Sequence, residues 1–129
     1  MKVYIIDDDP LSIFVTQSLL SFDSDTWDVH CFLDATVALQ QLQAETVLPR
    51  LIFLDLNMPV MSGWDFLDAL SALPALSDKF KVFILTSSLD ATDIMRAEAY
   101  PIVARFIHKP ITSEDIRLIA EEQVSSPGL

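Results

Sequence analysis

The chain has 129 residues, half of them hydrophobic, a length that fits one domain with a substantial core and holds no apolar run long enough for a membrane span. Nineteen acidic against eight basic side chains give a formal charge of −11, which repels phosphate backbones, argues against direct DNA or RNA binding and points to protein partners. The lone cysteine, Cys31, permits neither an internal disulfide nor a thiolate metal cluster, and in its alternating run it is expected to be a buried, inert thiol of a cytoplasmic protein.

In chain order, Met1-Lys2-Val3-Tyr4 leads directly into the apolar stretch Val3 to Ile6, which reads as a first strand and leaves no room for a signal peptide. Leu11, Phe14, Val15 and Leu19 then share one helical face, in the spacing of a stripe turned to a core. Asp9 and Pro10 stand at its start, the acid as cap and the proline in the first turn. Trp27 to Phe32 alternates polar and apolar and predicts an edge strand. Ala35, Ala38, Leu39 and Leu42 mark a second helix, Leu51 to Leu54 a wholly apolar third strand, and Gly63, Phe66, Leu67 and Leu70 a third helix. Val82 to Leu85 is the fourth strand. Ala91 to Ala99 follows as a weak helix with little but Ile94 and Ala97 to bury, and Val103 to Ile107 is a looser fifth strand. Thr112, with Asp115 three residues on, resembles a capping box opening a last helix whose face is Ile116, Ile119 and Ala120. Residues 1–124 are expected to form one domain, with 125–129 a frayed tail.

Strands that are apolar without interruption are buried on both faces, as in a parallel sheet. Five alternating β-α units therefore predict an α/β fold: a doubly wound, flavodoxin-like (βα)5 sheet of five parallel strands in the order 2-1-3-4-5.

Ligands of such sheets sit beyond the carboxyl ends of the strands. There the sequence places Asp7-Asp8-Asp9 after the first strand, Asp55 after the third, Thr86-Ser87-Ser88 after the fourth and Lys109-Pro110 after the fifth. With the first and third strands adjacent, the carboxylates converge on one edge and raise each other's pKa values unless something neutralises them. A hard divalent cation resolves that conflict, because magnesium takes oxygen ligands, typically one or two carboxylates with water and phosphate oxygens. Asp7, Asp8 and Asp55 are the candidate ligands, with a backbone carbonyl at Asn57; magnesium, or manganese in its place, is the expected cofactor. Lys109 brings one positive charge, and Thr86 a hydroxyl able to donate to a phosphoryl oxygen. The set fits phosphoryl transfer onto Asp55, giving an aspartyl phosphate. Helix capping accounts for Asp9 and leaves two acids over.

In order and spacing, these motifs resemble the response-regulator receiver family of two-component signalling, including its single-domain, chemotaxis-regulator-like members. The resemblance rests on Ile5-Ile6-Asp7-Asp8-Asp9-Pro10, on Asp55-Leu56-Asn57-Met58-Pro59 followed by Gly63, on Thr86, and on Phe106-Ile107-His108-Lys109-Pro110. It spans nearly the whole chain. It implies that Asp7 and Asp8 are the metal-binding pair, Asp55 the phosphoacceptor, Thr86 and Phe106 the switch residues, and Lys109 the lysine before a cis proline. It further implies a stand-alone receiver in a phosphorelay, supplied by a sensor histidine kinase or a histidine phosphotransfer protein and catalysing only its own phosphorylation and dephosphorylation. The surface of the fourth helix, fifth strand and fifth helix would then be remodelled for a downstream protein target or for homodimerisation. One departure is the turn before the fifth strand, where Tyr100-Pro101-Ile102 replaces the glycine common in the family.

Rival readings are weaker. A flavodoxin-type flavin carrier shares the fold, but Asp7-Asp8-Asp9 would repel its phosphate. An aspartate-nucleophile phosphohydrolase places an acid two residues after the nucleophile, where this chain has Asn57. A degenerate receiver, binding partners without phosphorylation, should have lost the metal pair, Asp55 or Lys109, and all are present. Phe106 also reads as an ordinary core residue; His30 and His108 have no evident ligand partner, and Trp27, Trp64 and the methionines read as packing.

Overall fold

Near-continuous apolarity in the strands produces the expected result: five parallel strands in one sheet, in the order β2-β1-β3-β4-β5. The computed structural model describes residues 1–87 and 90–124, so Ser88 and the 125–129 tail lie outside the described residues. The elements are β1 (Lys2–Ile6), α1 (Pro10–Asp23), β2 (Asp28–Phe32), α2 (Ala35–Ala44), β3 (Leu51–Asp55), α3 (Gly63–Ser71), α4 (Pro74–Ser77), β4 (Lys81–Thr86), α5 (Ala91–Ala97), β5 (Val103–His108) and α6 (Ser113–Val124). The four-residue α4 is an addition to the predicted elements, too short to have a periodic pattern. The predicted fourth and fifth helices are thus α5 and α6. No described helix is long and apolar enough to cross a membrane.

Successive residues of the central strands feed two cores. Tyr4, Ile6, Ile52, Leu54, Val82 and Ile84 pack with Ala38 and Leu42 of α2, Phe66, Leu67 and Leu70 of α3, and Ala97 of α5. Val3, Ile5, Leu51, Phe53, Phe83 and Leu85 pack with Ile13 and Leu20 of α1 and Ile116 and Ile119 of α6. Each large side chain withdrawn from water in this way contributes about 1.5–3 kcal/mol. Both cores meet at β3, every residue of which is buried.

The caps follow the sequence. Leu11 N–H donates to Asp9 Oδ1 at 3.0 Å, with Pro10 in the first turn of α1. Asp115 N–H donates to Thr112 Oγ1, and Thr112 N–H to Asp115 Oδ2, closing the box that opens α6. A second box, between Ser62 and Asp65, starts α3. The turn into β5 is made without glycine: Val103 N–H donates to the Tyr100 carbonyl at 3.0 Å across Pro101-Ile102, with proline at the position whose φ it presets.

Three expectations are corrected. The Leu11, Phe14, Val15 and Leu19 stripe is only in part the core face of α1: Val15 and Leu19 pack against the core that buries Ile13 and Leu20, while Leu11 and Phe14 are 69% and 64% exposed. Apolar residues fall on more than one side of the helix and a threonine lies on the buried one, so periodicity alone does not choose its inner side. Cys31 is exposed rather than buried. It lies on edge strand β2, where Val29 packs against the α1-side core and Cys31, nearer the strand's end, does not. On α5, Ala97 is buried as expected but Ile94 is 38% exposed.

Candidate functional site

Register places the chemistry. Ile6 pairs with Leu54, and Asp55 with Leu85, so the ends of β1, β3 and β4 lie side by side at the carboxyl edge of the sheet. Thr86 closes β4 opposite His108, and Lys109 N–H donates to the Thr86 carbonyl at 2.8 Å, which carries the lysine back over the same edge. The Lys109–Pro110 peptide is cis.

Asp7 is anchored through its backbone, its N–H donating to the Phe32 carbonyl at 3.0 Å, and its Oδ1 accepts from Asp9 N–H at 3.0 Å. Its side chain is almost fully buried. Lys109 Nζ stands 2.8 Å from Asp7 Oδ2 and 3.8 Å from Asp55 Oδ2. The closer contact is an ion pair by distance, although Asp7 Oδ2 accepts no well-directed hydrogen bond among the described residues. Asp55 Oδ1 accepts from Asn57 N–H at 3.3 Å. Asp8 is exposed at the mouth of the site.

One oxygen from each of Asp7, Asp8 and Asp55 lies within 4.8 Å of the others. Ligand oxygens on a single magnesium ion stand about 3.0 Å apart when adjacent and about 4.2 Å apart when opposite, so these donors would draw together on binding one ion. Three hard oxygen donors and an unengaged lone pair on buried Asp7 fit magnesium or manganese. The electrostatics show the same need for positive charge. The Asp55 carboxyl is raised to about 6, chiefly by burial; the Lys109 ammonium and the Asn57 N–H oppose the rise, and the carboxylates of Asp7 and Asp8 add to it.

Of the remaining predicted residues, Thr86 is buried at the end of β4. Phe106 is half-buried on β5, packed against the α2–α3–α5 core, a position compatible with both its packing and its switch reading. His30 pairs with Asp28 on β2, 3.2 Å away, and has no part in the site.

The sequence marks Gly63 on the face of the third helix and in the phosphoacceptor motif, but not the contact it makes, nor a second contact at Trp64. Gly63 N–H donates to the Leu56 carbonyl at 3.0 Å, and a Cβ at Gly63 would lie 2.6 Å from the Asp55 carbonyl oxygen. The start of α3 is therefore pressed against the backbone of Asp55 itself. The second is a contact between α3 and the end of α5. The Arg96 guanidinium lies 4.4 Å from the centroid of the Trp64 ring, which also meets Tyr100 at 5.9 Å, and the Tyr100 hydroxyl donates to Asp68 Oδ1 at 2.5 Å.

Residues 3–121 match the family described as the response regulator receiver domain. The structure is similar to that of a two component response regulator from Cytophaga hutchinsonii, with a TM-score of 0.87 and 26% identity over 97% of each chain. It shares its fold with a two-component response regulator from Legionella pneumophila (TM-score 0.84, 24% identity, 96% of this chain and 98% of that one). The same holds for a chemotaxis protein, CheY4, from Vibrio cholerae (TM-score 0.79, 21% identity, 94% and 96%). A search of curated proteins finds no match.

Proposed function

The chain belongs to the response regulator receiver domain family, and from that premise we propose that Asp55 accepts a phosphoryl group from phosphohistidine on a sensor histidine kinase or phosphotransfer protein. The observation that carries the reading is the convergence of Asp7, Asp8, Asp55 and Lys109 on one strand edge. Burial raises the Asp55 carboxyl to about 6, which still leaves a carboxylate nucleophile at neutral pH. One Asp55 oxygen forms a bond to phosphorus as the bond from phosphorus to the donor's imidazole nitrogen breaks, and the electron pair leaves with the imidazole.

Asp7, Asp8 and Asp55, with the Asn57 carbonyl, would hold magnesium or manganese, which when bound supplies positive charge to the phosphoryl oxygens. Lys109 is already poised between Asp7 and Asp55, and its ammonium turns to the transferred group. The Thr86 hydroxyl donates to a phosphoryl oxygen. Its movement and that of half-buried Phe106 carry the change to the face of α5, β5 and α6, where a downstream protein docks. Asp93 and the Arg105–Glu122 ion pair give that face mixed charge suited to a protein target. Residues 1–124 act as the receiver unit, in the cytoplasm, and its only catalysis is on its own phosphorylation state.

The test is intact mass after incubation with a small acyl phosphate, with and without magnesium, for wild type and Asp55→Ala. A single magnesium-dependent phosphoryl adduct, absent from the variant, is the expected result. A folded wild type that gains no adduct, and shows no change with a stable phosphoryl mimic, sinks the proposal and favours a phosphorylation-independent binding module.

A further inference from the structure

Helix α5, on the face assigned to the downstream protein, is weakly anchored. Ala97 is its one buried residue among those described, while Ile94 and Met95 are 38% and 69% exposed. Its neighbour α3 is the opposite: Phe66, Leu67 and Leu70 are fully buried, and the Gly63 N–H holds the Leu56 carbonyl beside Asp55. A polar contact at the surface joins the two. Trp64 and Asp68 lie one turn apart on α3, and Arg96 and Tyr100, also four residues apart, lie at and just beyond the end of α5. The Arg96 guanidinium is 4.4 Å from the Trp64 ring centroid, and the Tyr100 hydroxyl donates to Asp68 Oδ1 at 2.5 Å. Tyr100 opens the turn that lacks glycine, and its N–H donates to the Ala97 carbonyl at 2.9 Å, which makes turn and helix one piece.

Given the phosphoacceptor role read for Asp55, on which this rests, we propose that Trp64, Asp68, Arg96 and Tyr100 form a latch. It holds α5 against α3 in the unphosphorylated chain and opens when Asp55 carries a phosphoryl group. Two features suit these residues to a latch rather than a permanent joint. Both contacts lie at the surface, with Arg96 and Asp68 exposed, so each is weak and can be given up to water without leaving a charge buried. They also act between a fixed element and one the core hardly holds, so their loss frees α5 without unpacking the sheet. The pull comes from β4, whose last residue, Thr86, stands four positions ahead of Asp90, the N-cap of α5. A contact made in only one of two conformations shifts their ratio by its own strength. The latch therefore opposes phosphorylation, and weakening it lowers the threshold for switching.

Two measurements on the full chain test this: hydrogen exchange of the unphosphorylated protein, and binding of beryllofluoride with magnesium, followed by fluorine NMR. The proteins compared are wild type, Arg96→Gln, Tyr100→Phe, the double variant and, as a control on α5 outside the latch, Met95→Gln. The two latch substitutions remove a cation and a hydroxyl and leave every fully buried side chain in place. Each should speed exchange of the Ala91–Ala97 amides about threefold and lower the half-saturating beryllofluoride concentration by about the same factor, with about tenfold for the double variant. Exchange in β3 and α3, and both readings for Met95→Gln, should stay at wild-type values. Unchanged α5 exchange in the double variant overturns the latch. Faster exchange with unchanged or weaker beryllofluoride binding also overturns it, because the contact then holds α5 without bearing on the switch. A wild type that binds no beryllofluoride is a separate failure, that of the phosphoacceptor reading, and takes the switching role with it.

Discussion

Gly63→Ala tests how closely the fold and the phosphoacceptor are joined. The added methyl would sit 2.6 Å from the Asp55 carbonyl oxygen, 2.8 Å from Leu56 Cα and 3.0 Å from Leu56 Cδ2. Ordinary contact begins near 3.4 Å, so about 0.8 Å must be found between two stretches of backbone. A side chain could rotate away; the Asp55 carbonyl cannot, because β3 is paired on both sides. Helix α3 cannot retreat freely either, since Phe66, Leu67 and Leu70 are fully buried and the Gly63 N–H holds the Leu56 carbonyl. Overpacking of this kind costs about 1–3 kcal/mol, and a clash with backbone belongs in the upper half, at about 2 kcal/mol. For a domain of this size that lowers Tm by roughly 8 °C. The shift also moves the Asp55 carboxyl, so the variant should form its phosphoryl adduct more slowly even where it remains folded. Urea unfolding followed by circular dichroism measures the first effect, and adduct formation by mass the second. A Gly63→Ala midpoint within about 0.5 kcal/mol of wild type, with an unchanged adduct rate, would refute the reasoning.

Other consequences can be checked in the same way. In the absence of divalent cations, Asp55 titrates near 6 in the folded chain against 3.8 when unfolded. The folded state therefore holds a proton that the unfolded state has released, and stability from this group is lost as pH rises from about 4 to about 6. The full effect is about 3 kcal/mol, and Asp55→Asn should abolish it; parallel pH profiles for wild type and variant would count against the cause assigned. Magnesium should raise Tm of the unphosphorylated protein by relieving carboxylate repulsion, and Asp8→Ala should remove the rise, with no rise in wild type arguing against the cluster. Val60, 93% exposed, has φ of 67° inside a three-residue turn closed by Met61 N–H to the Pro59 carbonyl, a conformation unfavourable for a β-branched residue. Val60→Gly should therefore stabilise by about 1 kcal/mol in denaturant unfolding, and a loss of stability would show that the turn is not strained. Tyr4 is fully buried with a hydroxyl that has no partner among the described residues, and burial pushes its pKa up to about 12. Its ionisation should remove stability as pH rises from about 10 towards 12, and Tyr4→Phe should reduce that loss.

Sheet and site were legible for one physical reason. Strands buried on both faces must be apolar throughout, so the first polar residue after each such run marks a strand end, and here those residues are Asp7, Asp55 and Thr86. Caps were legible because they are local: Asp9 with Leu11, and Thr112 with Asp115, are settled within three residues. Elements whose environment is set from a distance were not. Which side of α1 faces the core depends on where α6 and the sheet lie, and Leu11, Phe14, Ile13 and Leu20 are equally apolar candidates. Cys31 alternates like a core residue, but on an edge strand burial depends on how far the covering helix reaches. The meeting of Trp64 with Arg96 and Tyr100 joins residues more than 30 positions apart and follows from no spacing in either segment.

The Trp64 contact also gives the protein a natural optical probe. An indole's emission follows the charge and polarity around it, and Trp64 has the Arg96 cation on its face, supplied by the helix that precedes β5. Trp27, the only other tryptophan, packs on the opposite face of the sheet and donates its indole N–H to Asp23. Any displacement of α5 from α3 therefore alters one fluorophore and spares the other. Unlabelled protein can report its own conformational state in real time, with Trp64→Phe as the silent reference.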